Sequence, residues 1–173
     1  AGGKLGIGAS VALNLITSTA TAEIDDGATF SGGKDLAVKA QSGIATTTEA
    51  EAGAGGGVAI DAVVALATLD ETTIARIGSG VALNLSGALS LDAEDSGDNE
   101  ATATGDTKSS DVGVGAAAAV IVGGGATVGA LSNTSVTSAE RARDVTATAL
   151  TITADADRSY KADSTATAGG GKG

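Results

Sequence analysis

The chain has 173 residues, a net charge of −11 and 42% hydrophobic residues, but only one Tyr, one Phe and no Pro, Cys, Met, Trp or His. Without large aromatic or thioether side chains to fill a wide interior, Ala, Val, Leu and Ile must form a thin, uniform core. The acidic balance supplies no basic patch for nucleic acid, and the missing His and Cys remove the usual zinc ligands and activated nucleophiles.

From Gly6 to Ile24 the chain reads GIGASVALNLITSTATAEI, with Val11, Leu13 and Leu15 alternating with small or polar residues. A period of two predicts a strand with that apolar face buried. Asp25-Asp26-Gly27 then marks a turn, Ala28-Thr29-Phe30 a short strand, Gly32-Gly33 a second turn, and Leu36–Ala40 another alternating strand. The glycines give these corners the positive φ that explains how the chain turns without proline. Residues 41–57 run through a polar, acidic strand into Gly-rich sequence.

The figure then returns: Ile24 recurs as Ile77, Gly27 as Gly80, Phe30 as Leu83, Leu36 as Leu89, Val38 as Leu91 and Ala40 as Ala93, each 53 residues on. Leu150 and Ile152 take the last two places in a third, stretched copy. The modules run approximately 6–57, 58–111 and 112–173, within one repeat-built segment over 1–173. Ala1–Gly6 and Ala168–Gly173 match in phase, so excision from a longer tandem array is expected. Helix is the competing assignment only at Ser138–Ala147, where Glu140, Arg141 and Arg143 punctuate an Ala-containing run.

These features predict an all-β fold, a right-handed parallel β-helix (β-solenoid) built from about 53-residue repeats, with a β-sandwich as the alternative. At about 20 residues per coil, each module would make two or three coils. The acids of the turns, Asp25, Asp26 and Asp35, are not kept in the second copy, where Gly78, Ser79 and Ala88 stand. What repeats is apolar packing, so they read as solvated turn residues.

The pattern carried by Gly6–Asn14, Thr21–Ile24, Gly27–Thr29 and Gly32–Ala40 resembles the long repeats of giant bacterial surface adhesins of the filamentous-haemagglutinin-like and leukotoxin-like kinds. The resemblance covers nearly the whole chain. It implies a secreted β-helical stalk at the bacterial cell surface and brings no catalytic residue with it.

The expected function is thus a structural repeat segment of a secreted cell-surface adhesin or extracellular filament, without catalysis, cofactor-binding residues or metal ligands. Neighbouring repeats, copies of itself, or host and microbial surface glycans or proteins are the expected partners, not nucleic acid. The uncharged run Val112–Leu131 is long enough to cross a bilayer. It is dense in Gly, lacks flanking aromatic or basic belts, and occupies the place of Gly6–Ile16, so buried strands are expected there rather than a membrane span. The acids Asp92, Glu94, Asp95 and Asp98 read as a loop over 92–100, which would at most hold calcium loosely. The alternative function is a binding module that turns a Thr/Asp-rich face to a glycan, a host surface or ice. Its candidates are the Thr-x-Thr runs at Thr17–Thr21, Thr102–Thr104, Thr146–Thr148, Thr151–Thr153 and Thr165–Thr167.

Overall fold

A computed structural model describes residues 4–79, 82–131 and 145–170. These residues are almost wholly strand: β1 (Leu5–Ile24), β2 (Thr29–Gly33), β3 (Leu36–Gly43), β4 (Thr46–Ile77), β5 (Ala82–Leu85), β6 (Ala88–Leu131), β7 (Val145–Thr146) and β8 (Ala149–Gly169). Every pairing is parallel. Leu5 lies beside Val58 and Ile24 beside Ile77, so β1 pairs with β4 at an offset of 53 residues throughout. The same offset joins Leu36 to Leu89 and Phe30 to Leu83. In the third copy Leu150 and Ile152 lie beside Leu89 and Leu91, the places expected from the sequence.

This register corrects the coil length. A residue meets its hydrogen-bonded neighbour one whole module later, 53 or 54 residues on between the first modules and 61 on at β6–β8, so one module builds one layer rather than two or three. Each layer is an outbound span of about 20 residues, a cap, and a return span that faces it. The opposition is visible at the glycines: a Cβ on Gly6 would strike the carbonyl of Gly55, and one on Gly8 would lie 2.7 Å from that of Gly53. As position 6 advances to 8 its opposite retreats from 55 to 53, so the two spans run in opposite directions. The corner between layers falls at Gly56 (φ +155°), where the ladder shifts by one residue between Gly56 and Val58. A side chain there would collide with the Lys4 carbonyl, 2.5 Å from its Cβ. The caps form their own three-stranded sheet, β2–β5–β7, with Gly27 (φ +74°) and Gly32 (φ +82°) at its corners as expected. Gly80 and most of the alternative helix at 138–147 lie outside the described residues; Val145 and Thr146 pair with β5 as strand.

Two apolar clusters fill the space between the spans. One, near the cap, joins Ala75 and Ile77 to Leu83, Leu85, Leu89 and Leu91. The other, near mid-span, joins Val63 and Ala65 to Ala101, Ala103 and Ala50. Between them the interior is mixed: Glu71, Thr73, Asp95 and Asn99 are buried beside Ala67 and Leu69.

The expected burial of Val11, Leu13 and Leu15 is overturned. Their relative exposures are 75%, 59% and 67%. In β1 the outward positions carry Leu5, Ile7, Ala9, Val11, Leu13 and Leu15, while the half-buried inward ones carry Gly6, Gly8, Ser10, Ala12, Asn14 and Ile16. The physical reason is thickness. At Gly6 and Gly8 the opposing backbone leaves no volume for a larger side chain, so Leu5 and Ile7 turn out and the alternation carries Val11, Leu13 and Leu15 to the same side; farther along, Ile16 and its partner Leu69 do fit inside. Val112–Leu131 is strand as expected, but Val112, Val114, Val120 and Val122 also face out, each more than 40% exposed.

Candidate functional site on the acidic face

Alternation along the return spans divides their side chains by chemistry. Inward positions hold Leu89, Leu91, Ala93, Ala101 and Ala103, all buried, while the outward positions between them hold Asp92, Glu94, Glu100, Thr102 and Thr104. Parallel register then stacks the outward residues of three layers. Lys39 lies beside Asp92, Gln41 beside Glu94, and Glu100 beside Lys161.

The charges in these columns pair between layers. The Lys39 ammonium is 3.1 Å from Glu94 and 3.3 Å from Asp92. Gln41 donates to the same Glu94 carboxylate at 3.2 Å. Lys161 donates to Glu100 at 2.7 Å and lies 2.9 Å from Asp163. Hydrogen bonds to Glu94 and then Asp92 raise the pKa of Lys39; those to Glu100 and Asp163 raise that of Lys161. Such exposed pairs add little stability in water, but they fix the side chains as an ordered polar strip.

The strip is interrupted where β3 ends and β4 begins. Ile44 and Ala45 leave the ladder, opening a hollow of about 310 Å³ beside Ser96, Gly97, Asp98 and Asp157. It adjoins a second of about 340 Å³, bordered by Thr47, Asp98, Glu100, Ser159 and Lys161. Carboxylates, hydroxyls and one ammonium around a shallow polar groove suit hydrogen bonding to a hydroxyl-rich ligand. The scarcity of aromatic side chains leaves it without a stacking platform.

The loop expected over 92–100 is strand instead. Alternation sends Asp92, Glu94 and Asp98 outward and Asp95 inward, where it is 1% exposed. Asp92 and Glu94 are held by Lys39, and Asp98 accepts from the Ser159 hydroxyl at 2.6 Å. Among the described residues no three acidic side chains gather in a metal-ligand set.

The turn acids do more than face solvent. One Asp26 carboxylate oxygen accepts from the Ser79 backbone amide at 2.7 Å, and one of Asp35 accepts from that of Ala88 at 2.8 Å. Each carboxylate therefore ties its cap to the next layer. A Cβ on Gly78 or Gly87 would collide with the Asp26 or Asp35 carboxylate respectively. The second copy departs from the first at these places because it receives the carboxylate instead of supplying one.

A charged group that sequence reasoning missed lies inside. Arg158 of β8 enters the interior in register with Gly97. Its guanidinium is 3.5 Å from Glu71, donates to the Glu71 backbone carbonyl at 3.2 Å, and contacts Asp95. The two carboxylate side chains are 1% and 0% exposed. Counting in twos from Leu150 and Ile152 places Arg158 inward, so the signal was in the sequence. Asp61, in register with Gly8, is also buried, and neither carboxylate oxygen has a hydrogen-bond partner.

The threonine runs stack only at single positions. Thr19 lies beside Thr72 and Thr104 beside Thr165, whereas Thr17 and Thr21 lie beside Asp70 and Ile74, and Thr102 lies between Glu49 and Asp163. No family model, curated protein or solved structure matches the chain. Among the described residues no helix is long and apolar enough to cross a membrane.

Proposed function

We propose that this chain is a structural segment of a secreted bacterial surface adhesin or extracellular filament, folded as a flattened β-solenoid. The observation that carries the reading is the parallel register, which repeats module on module with whole strands in step. Among the described residues, β1 pairs along one edge with β4 only, and β8 with β6 only, so both end layers present strand edges to which a further layer can add. Leu150 and Ile152, inward in the last layer, are 51% and 44% exposed, as expected of a layer awaiting a cover. The connection between parallel strands is right-handed in nearly all proteins, which sets the expected hand of the winding.

The 53-residue layer changes the mechanical sense of the proposal. Layers add about 4.8 Å each, whereas a 20-residue span runs on the order of 65 Å. Such a segment gains width and stiffness more than reach. A tandem duplicate of the chain should give a strand-dominated circular dichroism spectrum and a scattering profile of one body, thickened by about 14 Å for three added layers. Duplicates that scatter as two separate beads, or a helical spectrum, would overturn the reading.

The groove at Asp98 and Glu100 favours a second reading, in which the acidic face also holds a surface glycan. Retention on a glycan array that is lost in Asp98→Ala is the outcome it requires.

A further inference from the structure

We propose that the apolar outer face of the outbound spans is the contact surface between two copies of this chain, packed sheet against sheet. This goes beyond end-on stacking, because it uses a face of the layers and not their strand edges.

The first ground is the inversion of polarity between the two sides of one sheet. Leu5, Ile7, Val11, Leu13 and Leu15 point outward, while the inward positions between them hold Gly6, Gly8, Ser10, Ala12 and Asn14, and Ile16 is the first large aliphatic to face in. Among the described residues nothing covers the outward five, and each is at least 59% exposed. Parallel register multiplies the effect: Leu5, Val58 and Val112 stack in one column, Ile7, Ile60 and Val114 in the next, and Leu13, Leu66 and Val120 in another. Branched aliphatic side chains in straight columns give ridges and furrows that a second copy of the same surface can interleave, as in the inner faces of sandwiched sheets.

The second ground is area. Six columns at about 6.7 Å by three layers at about 4.8 Å cover roughly 580 Å² per copy, or about 1,150 Å² for a pair. That clears the roughly 1,000 Å² expected of a specific interface, and it matches the largest apolar patches that monomers leave bare. The third is charge. Residues 5–16, 58–69 and 112–123 contain one charged residue, Asp61, and it points inward. The acids that give the net charge of −11 lie largely on the caps and the opposite face, with Asp70 exposed one column beyond the apolar ones. Pairing through the apolar face therefore holds like charges apart by more than the Debye length of about 8 Å, and a two-fold contact closes at a dimer. A lipid surface is the weaker occupant. The face offers no Lys, Arg, Trp or Tyr within its columns, and the chain is repelled by anionic headgroups.

The absence of cysteine from the chain makes the test direct. Ala62 is exposed near the centre of the face in the middle layer, and Thr104 points out on the opposite face. Sedimentation of the unmodified chain should show a concentration-dependent dimer. Ile60→Lys and Leu13→Lys should each raise its dissociation constant by at least about tenfold with an unchanged circular dichroism spectrum. Under mild oxidation Ala62→Cys should cross-link to a dimer and Thr104→Cys should not. A chain that stays monomeric, or that floats with neutral lipid vesicles as a monomer, overturns the proposal. So does an assembly that the lysine variants leave intact. End-on stacking alone would give open-ended polymers insensitive to both lysines, which separates the failure of this inference from that of the filament reading.

Discussion

Arg158 is the residue on which the interior depends most. Its guanidinium faces Glu71 and Asp95, two carboxylates with almost no exposure. Removing one partner of a buried ion set leaves uncompensated charge and costs about 3–5 kcal/mol. Arg158→Ala should lower the urea midpoint accordingly, and Arg158→Ala combined with Glu71→Gln and Asp95→Asn should recover part of the loss. The exposed pair Arg76–Glu23, 2.6 Å apart, acts differently. The hydrogen bond from Arg76 lowers the Glu23 pKa, so its contribution is present above the ordinary carboxylate pKa of about 4.3 and is lost as pH falls through the lowered folded value. The difference in urea midpoint between the native chain and Glu23→Gln should hold steady at neutral pH and vanish in strong acid. A difference that persists there would contradict the assignment.

At the scale of elements, the cap is a lock between layers. Asp35 needs a Cβ-free residue beneath its carboxylate, and Gly87 supplies it. Gly87→Ala should therefore destabilise the fold, and Asp35→Gly should relieve part of the clash in the double variant, the Lys34 carbonyl 2.5 Å from the added Cβ leaving the rest. The expected coupling is about 0.5–3 kcal/mol in a double-mutant cycle. Additive losses would show that the two do not meet. The cap also explains why comparing copies misled the reading of its acids. Repetition reveals what both layers share, whereas Asp26–Gly78 and Asp35–Gly87 are complementary pairs in which the layers must differ.

For the whole molecule, the long offset governs folding. Strand neighbours are 53 to 61 residues apart in a chain of 173, about 0.3 of its length, beyond the roughly 0.2 of slow all-β domains. Refolding should take seconds or longer. With no proline in the chain, that slow phase should be insensitive to a prolyl isomerase. A millisecond phase of full amplitude would contradict the layered topology.

The all-β class, the 53-residue offset between β1 and β4, the glycine corners at Gly27 and Gly32, and the match of Leu36, Leu89 and Leu150 were legible in the sequence, because alternation and recurrence are local or periodic signals. The length of a layer was not. A 53-residue repeat is compatible with one long circuit or several short ones, and only hydrogen-bonded register distinguishes them. Nor could sequence choose which side of β1 faces in. Hydrophobicity alone favours burying Val11, Leu13 and Leu15, yet the close approach of the opposing span at Gly53 and Gly55 admits only Gly6 and Gly8 on the inside and so sets which parity of the strand faces in. That choice rests on the volume between two spans far apart in sequence, a quantity that exists only once they have met.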